Sequence, residues 1–214
     1  MHRILVERNG GIEHVDAIDP GWLGEDAPER LWVDIQAPND EDRALLTDVF
    51  SIHELAVEDA VATIHHPKIE SYNGLLYLIL HGITATDGLE LFETQDVDFL
   101  VGRNYLITVH QGPSRSIAAE QETCRRRPDL FADGPMGIVH RVIDRLVEHY
   151  QPAVDAIERR LEVIDGCVFS GGVGPNVLRD LLALKRDVAA LRRVVGPERD
   201  AVARLARREF PQVT

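Results

Sequence analysis

Glu58 and Asp59 are adjacent acids in the run His53-Glu54-Leu55-Ala56-Val57-Glu58-Asp59-Ala60, and their type suits the binding of a hard divalent cation. Such cations take oxygen ligands, and magnesium keeps several waters while accepting only one or two carboxylates. Adjacent side chains on a helix point about 100° apart, so the pair does not close on one ion unless another chain completes the site. A solvated helix end is the plainer account of the same residues. Asp144 is the second candidate. With the apolar stripe Val139, Ile143, Leu146 and Tyr150 taken as zero, it lies roughly 140° round the helix, on the side of Glu148 and Asp155. That acid row is too polar for a core, so it faces water or a partner. Pairing of Asp144 with Arg141, or of Glu148 with Arg145, is the plainer alternative and is worth only a few tenths of a kcal/mol.

Other chemistries find less support. Of the nine histidines, His65 and His66 are neighbours, and on an extended segment they point to opposite faces, a poor chelate for zinc. Surface histidines are the better account. There is no glycine-rich phosphate loop, and Ser51, Ser71, Ser114, Ser116 and Ser170 all lack a Gly-x-Ser-x-Gly frame, so no enzyme is expected.

The acids that suit a cation sit in an acidic chain. Its 214 residues carry a net charge of −13, with −15 on residues 1–134 and +2 on residues 135–214. That balance argues against nucleic acid, which requires clustered Lys and Arg, and favours attraction of cations. The longest apolar run, Leu75 to Leu80, is far short of the roughly 20 residues of a membrane span. The N-terminus has no signal-peptide layout. Cys124 and Cys167 form no spaced framework, so a reducing, intracellular setting is expected.

Two periodicities must position these residues. Up to about Asp133, strands are predicted at Ile4–Val6, Ile12–Ala17, Leu31–Ile35, Leu75–Thr84, Thr94–Val101 and Leu106–Gln111. Turns are predicted at Asn9-Gly10-Gly11, Asp87-Gly88 and Gly102-Arg103-Asn104, the first and last closing hairpins. Helices are predicted from Asn39, as N-cap, to Ser51, over His53–Ala60, and over Ser114–Arg126. After Pro135 a single stripe through Ile143, Leu146, Tyr150, Val154, Ile157, Leu161 and Ile164 predicts a long helix from Met136 to Val168, with a kink at Pro152. The linker Ser170-Gly171-Gly172-Val173-Gly174-Pro175 reverses the chain into a second helix with Leu178, Leu181, Leu184, Val188, Leu191 and Val195 on its stripe. The two stripes are expected to seal against one another. Gly196-Pro197 should end that helix, and Glu198–Phe210 should begin a third whose stripe has barely started where the sequence stops at Thr214. The expected fold is α/β: a three-layer α/β/α body with a mixed sheet over residues 1–134, then a long antiparallel helical hairpin and the start of a stalk helix over 135–214.

The segment from His53 to Ala60, followed by His66-Pro67-Lys68-Ile69-Glu70 and Tyr72, resembles the CorA family of magnesium and cobalt transporters. There a helix ending in Glu-Asp precedes an Arg-Pro-Lys-(Val/Ile)-Glu strand entry; position 66 is His where the family usually has Arg. Trp32-Val33-Asp34-Ile35, Leu76 to His81, Tyr105 to His110, Ile143-Asp144-Arg145-Leu146-Val147 and Leu184-Lys185-Arg186 fit in the same order. The resemblance implies a cytosolic, metal-sensing domain at the inner membrane of the cell. It implies that Glu58, Asp59 and Asp144 are ligands of a regulatory Mg2+, with Co2+ as an alternative. It also implies a homopentamer in the full-length protein, joined to its own membrane domain through the stalk, with the Gly-Met-Asn pore signature beyond Thr214. A zinc-transporting branch shares the architecture. Two other classes remain open at this point: a soluble interaction module whose hairpin docks a partner helix, and an enzyme on an α/β scaffold. If the stalk is short, metal binding by these 214 residues should be weak, and the chain should be a monomer or a loose dimer.

Overall fold

Alternating strand-forming runs and amphipathic helices fold, in a computed structural model, into a seven-stranded sheet covered on both faces. The structure describes residues 2–24, 26–62, 66–85, 91–171 and 174–213. The Asp87-Gly88 turn, His65, Gly172 and Val173 of the linker, and Thr214 lie outside the described residues.

The strands are β1 (His2–Arg8), β2 (Gly11–Val15), β3 (Arg30–Gln36), β4 (Lys68–Tyr72), β5 (Leu75–Ala85), β6 (Phe92–Val101) and β7 (Tyr105–His110), in the order β2-β1-β3-β7-β6-β5-β4. The β3–β7 pair is parallel and every other pair antiparallel, so the sheet is mixed, as the sequence predicts. Six strands fall where expected. β4 was not among them, although it forms a hairpin with β5 through Asn73-Gly74. Asn73 (φ 47°) and Gly74 (φ 90°) both take the left-handed conformation such a turn needs, as Asn9 and Gly10 do between β1 and β2.

Helices α1 (Asp40–Ala44) and α2 (Glu54–Val61) lie on one face, α1 running on into a π-helical turn, Leu45–Val49. There Leu46, Phe50, Ala56 and Val57 cover Val33, Tyr77, Leu100 and Ile107. Helix α1 starts as predicted, with the Asn39 side chain accepting from the Asp42 N–H (3.0 Å) and Asp42 returning a bond to the Asn39 N–H (3.1 Å). On the other face α3 (Arg115–Arg126), α4 (Gly134–Glu148) and the end of α6 (Pro175–Ala206) cover Trp32, Leu78, Phe99 and Leu106.

Three features of the helical part differ from expectation. The long helix is broken at His149 into α4 and α5 (Tyr150–Phe169). Pro152 is the cause: its ring clashes with the carbonyl four residues back, so it is tolerated only in the first turn of a new helix, which starts at Tyr150. Conversely, α6 does not end at Gly196-Pro197 but continues to Ala206 with Pro197 inside it. Residues beyond the proline bury Glu198, Ala201 and Leu205, which offsets a penalty of about 3 kcal/mol for an internal proline. Finally, the hairpin seam is made by Ala153, Ile164 and Leu184, with Ile157 and Leu191 partly buried, whereas Leu161, Leu178, Leu181, Val188 and Val195 of the expected seam stay exposed. Ala153, Ile164 and Leu184 share their cluster with Ile83, Leu91 and Phe92, so the buried side of the hairpin also meets the sheet. Among the described residues, no helix is long and apolar enough to cross a membrane.

Asn39→Ala removes the side-chain acceptor of the Asp42 N–H (3.0 Å) and keeps the bond from the backbone N–H of residue 39 to the Asp42 carboxylate. Urea denaturation should show a loss of about 1 kcal/mol with an unchanged slope. A variant as stable as the parent would show that the cap does not hold this end of α1.

Candidate metal centre

Helix α2 opens on His53, whose ring nitrogen accepts the Leu55 N–H (3.2 Å), and its buried side is Ala56, Val57 and Ala60. That leaves Glu58 exposed and Asp59 half-buried at the helix edge. Glu58 makes no ion pair among the described residues. Asp59 is held: its Oδ2 lies 2.6 Å from Lys68 Nζ, which also bonds Glu70 (2.9 Å), and Tyr72 donates to the same Glu70 oxygen (2.6 Å). Strand alternation places Lys68, Glu70 and Tyr72 on one face of β4, directly beside α2. The Lys68 ammonium also lies 5.4 Å from the centre of the Tyr77 ring.

These contacts shift the titrations. Burial pulls Lys68 down, but hydrogen bonds to Asp59 and Glu70 outweigh it and hold the ammonium above its ordinary range. The same ammonium, with Tyr72, holds Glu70 below the usual carboxylate range. Behind them Tyr77 donates to Asp98 (2.5 Å) inside the sheet layer. Burial pushes Asp98 up to about 8, only partly opposed by that hydrogen bond. Burial, followed by the neighbouring Asp98, raises Tyr77 well beyond its ordinary range.

Asp144 is elsewhere. It sits on α4, on the opposite face of the sheet, with its side chain 61% exposed and His140 3.4 Å away. The local pairs open to it in the sequence do not form. Arg141 and Arg145 instead converge on the buried Glu120 of α3, at 2.6 and 2.9 Å. Among the described residues no three His, Cys, Asp or Glu side chains come together as a metal-holding group. His66 is exposed.

The donor set therefore has a definite character. One chain offers the unpaired Glu58 carboxylate and, beside it, Asp59, for which a cation competes with Lys68. Asp144 offers a third hard oxygen donor from the far side of the sheet. Among the described residues these groups do not close a cage round one ion, and as hard oxygen donors they suit a cation that keeps most of its water. Lys68, Asp98 and Glu120 are missing from the sequence-derived candidates. Asp98 was signalled only by its inward parity on β6, and Glu120 only by its place on the Ile117–Gln121–Cys124 face of α3.

Comparison with known proteins covers nearly the whole chain. The profile of a family described as CorA-like Mg2+ transporter protein matches residues 29–214. A Bacillus subtilis protein assigned as a metal ion transporter, YfjQ, is 32% identical over 204 residues, 95% of this chain and 59% of its own length. The chain thus spans about three-fifths of that relative. Among solved structures, the soluble domain of CorA from Methanocaldococcus jannaschii superposes with a TM-score of 0.80 at 17% identity, over 99% of this chain and 82% of that one. The ZntB cytoplasmic domain from Vibrio parahaemolyticus superposes with 0.75 at 17% identity, over 99% and 81%.

Asp98 gives the site a pH signature. Between its ordinary value near 4 and about 8, the unfolded chain releases a proton that the folded chain keeps. Stability therefore falls as pH rises through that window and levels off above it. Asp98→Asn should lose much less stability than the parent between pH 5 and pH 8 in urea titrations. Parallel pH profiles for the two proteins would exclude a protonated Asp98.

Proposed function

The chain belongs to the CorA-like Mg2+ transporter family, and on that premise we propose that it is the metal-sensing part of a divalent-cation channel whose ion-conducting helices lie in the remainder of the protein. Members of this family are transporters, not enzymes. The observation that carries the reading is the match of fold and family profile over nearly the whole chain. The proposed ion is Mg2+, with Co2+ able to replace it, and the proposed setting is the cytoplasmic face of the inner membrane.

The mechanism follows from the separation of the donors. In a homo-oligomer, a pentamer in the full-length protein, the α2 edge of one copy meets a carboxylate of the next. A hydrated Mg2+ there screens Glu58 and Asp59 against the partner's acids and stabilises the closed arrangement. As cytosolic Mg2+ falls, the like charges repel and the assembly loosens. Lys68 neutralises part of Asp59 at all times, which keeps the empty site from flying apart and lowers its affinity. A zinc-transporting relative with the same architecture is the second reading. The exposed donors are carboxylates, which favours magnesium over a metal that prefers imidazole and thiolate.

Ligand binding to the folded state raises stability, by about 2.7 kcal/mol at a hundred times the dissociation constant. Millimolar Mg2+ or Co2+ should therefore raise the melting temperature relative to a monovalent salt of equal ionic strength. The shift should shrink in Glu58→Gln, Asp59→Asn and Asp144→Asn, and grow in a longer chain carrying the stalk. Melting curves that respond identically to all salts in both lengths would sink the metal-sensing reading.

A further inference from the structure

Strand β5 outruns its partner on one side. Its pairing with β4 reaches only to Ile79, opposite Lys68, while its pairing with β6 continues to Ala85, opposite Phe92. His81 therefore lies two residues past the end of β4, and helices take the backbone groups that a strand would have paired. The His81 N–H donates to Glu198 Oε1 of α6 (3.2 Å), and the His81 carbonyl accepts from the Tyr150 hydroxyl of α5 (3.0 Å). Tyr150 Oη is also hydrogen-bonded to Glu198 Oε2. A carboxyl group and a hydroxyl thus close a ring on one residue of the open sheet edge. Glu198 is 7% exposed and directly follows Pro197, where α6 lacks a backbone hydrogen bond.

This ring is one hydrogen short when Glu198 is ionised. Tyr150 then faces two acceptors, the His81 carbonyl and a carboxylate oxygen, with a single hydroxyl hydrogen. Burial, with the neighbouring Glu198, raises Tyr150 far above its ordinary range, so the hydroxyl keeps that hydrogen and cannot supply a second. One acceptor is left against an oxygen lone pair in a buried place, which is unfavourable. A proton on Oε2 removes the conflict. Glu198 then donates to Tyr150, Tyr150 to the His81 carbonyl and the His81 N–H to Oε1, each group used once. Burial raises the Glu198 carboxyl in the same sense, opposed by its bonds to Tyr150 and the His81 N–H. Among the described residues no cation pairs with it. The His81 ring lies against Asp96 of β6 (3.3 Å), and Arg145 of α4 is taken up by Glu120 (2.9 Å). His149 of α5 meets Ser116 (3.2 Å), and Lys68 of β4 is held by Asp59 and Glu70. On α6 itself Asp187 is buried three turns earlier, and Arg199 and Asp200 pair with each other on the exposed side (2.9 Å).

We propose that Glu198 is a proton-operated latch that fastens the base of the helical hairpin to the open edge of β5. Protonated, it closes the ring and holds α5, α6 and β5 together. Ionised, it leaves Tyr150 divided between two acceptors, and the start of α5 and the Pro197 turn of α6 open more readily. The folded carboxyl holds its proton more firmly than the open one. The latch is therefore tight at low pH and loosens as pH rises through the titration of folded Glu198. Ala201 and Leu205, which seat the end of α6 on the body, follow within two turns, so loosening reaches the end of that helix. The latch involves none of Glu58, Asp59 and Asp144 and stands apart from metal sensing.

Amide hydrogen exchange between pH 5 and pH 9 in the presence of a chelator, corrected for the intrinsic exchange rate, reads the latch locally. Protection at His81, over residues 150–154 and over residues 198–205 should fall with rising pH, by up to about tenfold per unit above the titration of Glu198. Glu198→Gln replaces the acid O–H by an amide N–H that can donate to Tyr150, so it should keep the low-pH protection throughout. It retains His81 and Asp96, and a response arising from those groups would persist in it. Asp98→Asn removes the other buried carboxyl of the sheet and should leave the local response of the parent in place. In the parent itself, the 13C carboxyl resonance of Glu198 should titrate above the ordinary glutamate value of 4.5. A Glu198 resonance that titrates at or below that value would overturn the proposal. So would protection of these segments that is flat with pH in the parent, or a Glu198→Gln variant that follows the parent.

Discussion

The central strands β3, β7, β6 and β5 are covered by helices on both sides, and most of the remaining structure answers to that burial. Successive side chains on a strand point to opposite faces, so each strand must satisfy two apolar layers at once. Trp32 and Phe99 fill one layer and Tyr77 and Leu100 the other, each such side chain contributing on the order of 1.5–3 kcal/mol. Polar groups within the layers must be paired. The Trp32 indole donates to Thr108 (3.1 Å), Thr108 donates to Asp34 (2.6 Å), and His110 meets the same carboxylate oxygen (3.0 Å). The same two-sided covering sends α2 and α4 to opposite faces, which is why the candidate carboxylates of one chain cannot meet.

Two buried ionic groups then fasten the helical layer. Glu120 anchors α3 to α4 through Arg141 and Arg145. Glu198, just past Pro197, accepts from the Tyr150 hydroxyl and from the His81 N–H (3.2 Å), joining α6 to α5 and to β5. Burial raises the Glu198 carboxyl, and these two donors hold it back. Each group is worth less as a source of net stability than as a specification of geometry, since an unpaired remnant costs about 3–5 kcal/mol. Glu198 fixes α6 at the point where a proline leaves one helical hydrogen bond unmade. Beyond it the helix lies on the body, with Arg204 stacked on Phe210 (4.9 Å) and bonded to the Ile69 carbonyl (3.0 Å).

This arrangement divides the molecule by charge. The body, with its excess of acids, presents Glu58 at an edge and keeps Asp59 partly neutralised by Lys68. The hairpin segment is near neutral in total. Tyr150, which belongs to the hairpin, donates to the His81 carbonyl of the sheet (3.0 Å) and so ties the hairpin to the body.

Local chemistry was enough to read six of the seven strands, the Asn39 cap, the acids of α2 and the outward position of Asp144. Each of these depends on a residue's neighbours within one or two turns of chain. The resemblance of the His53–Tyr72 segment to a transporter family rested on the same local order. What depended on distant chain segments could not be read. Asn73-Gly74 marks a hairpin only if Lys68–Tyr72 finds β5, and the partners of Arg141 and Arg145 lie more than twenty residues away on α3. Pro197 ends a helix in isolation, and it is the burial of Glu198, Ala201 and Leu205 against the body that carries α6 through it. The seam of the hairpin was misread for a related reason. Periodicity identifies a stripe of apolar residues, but the crossing of two helices selects which part of that stripe is buried, and that choice is made by packing.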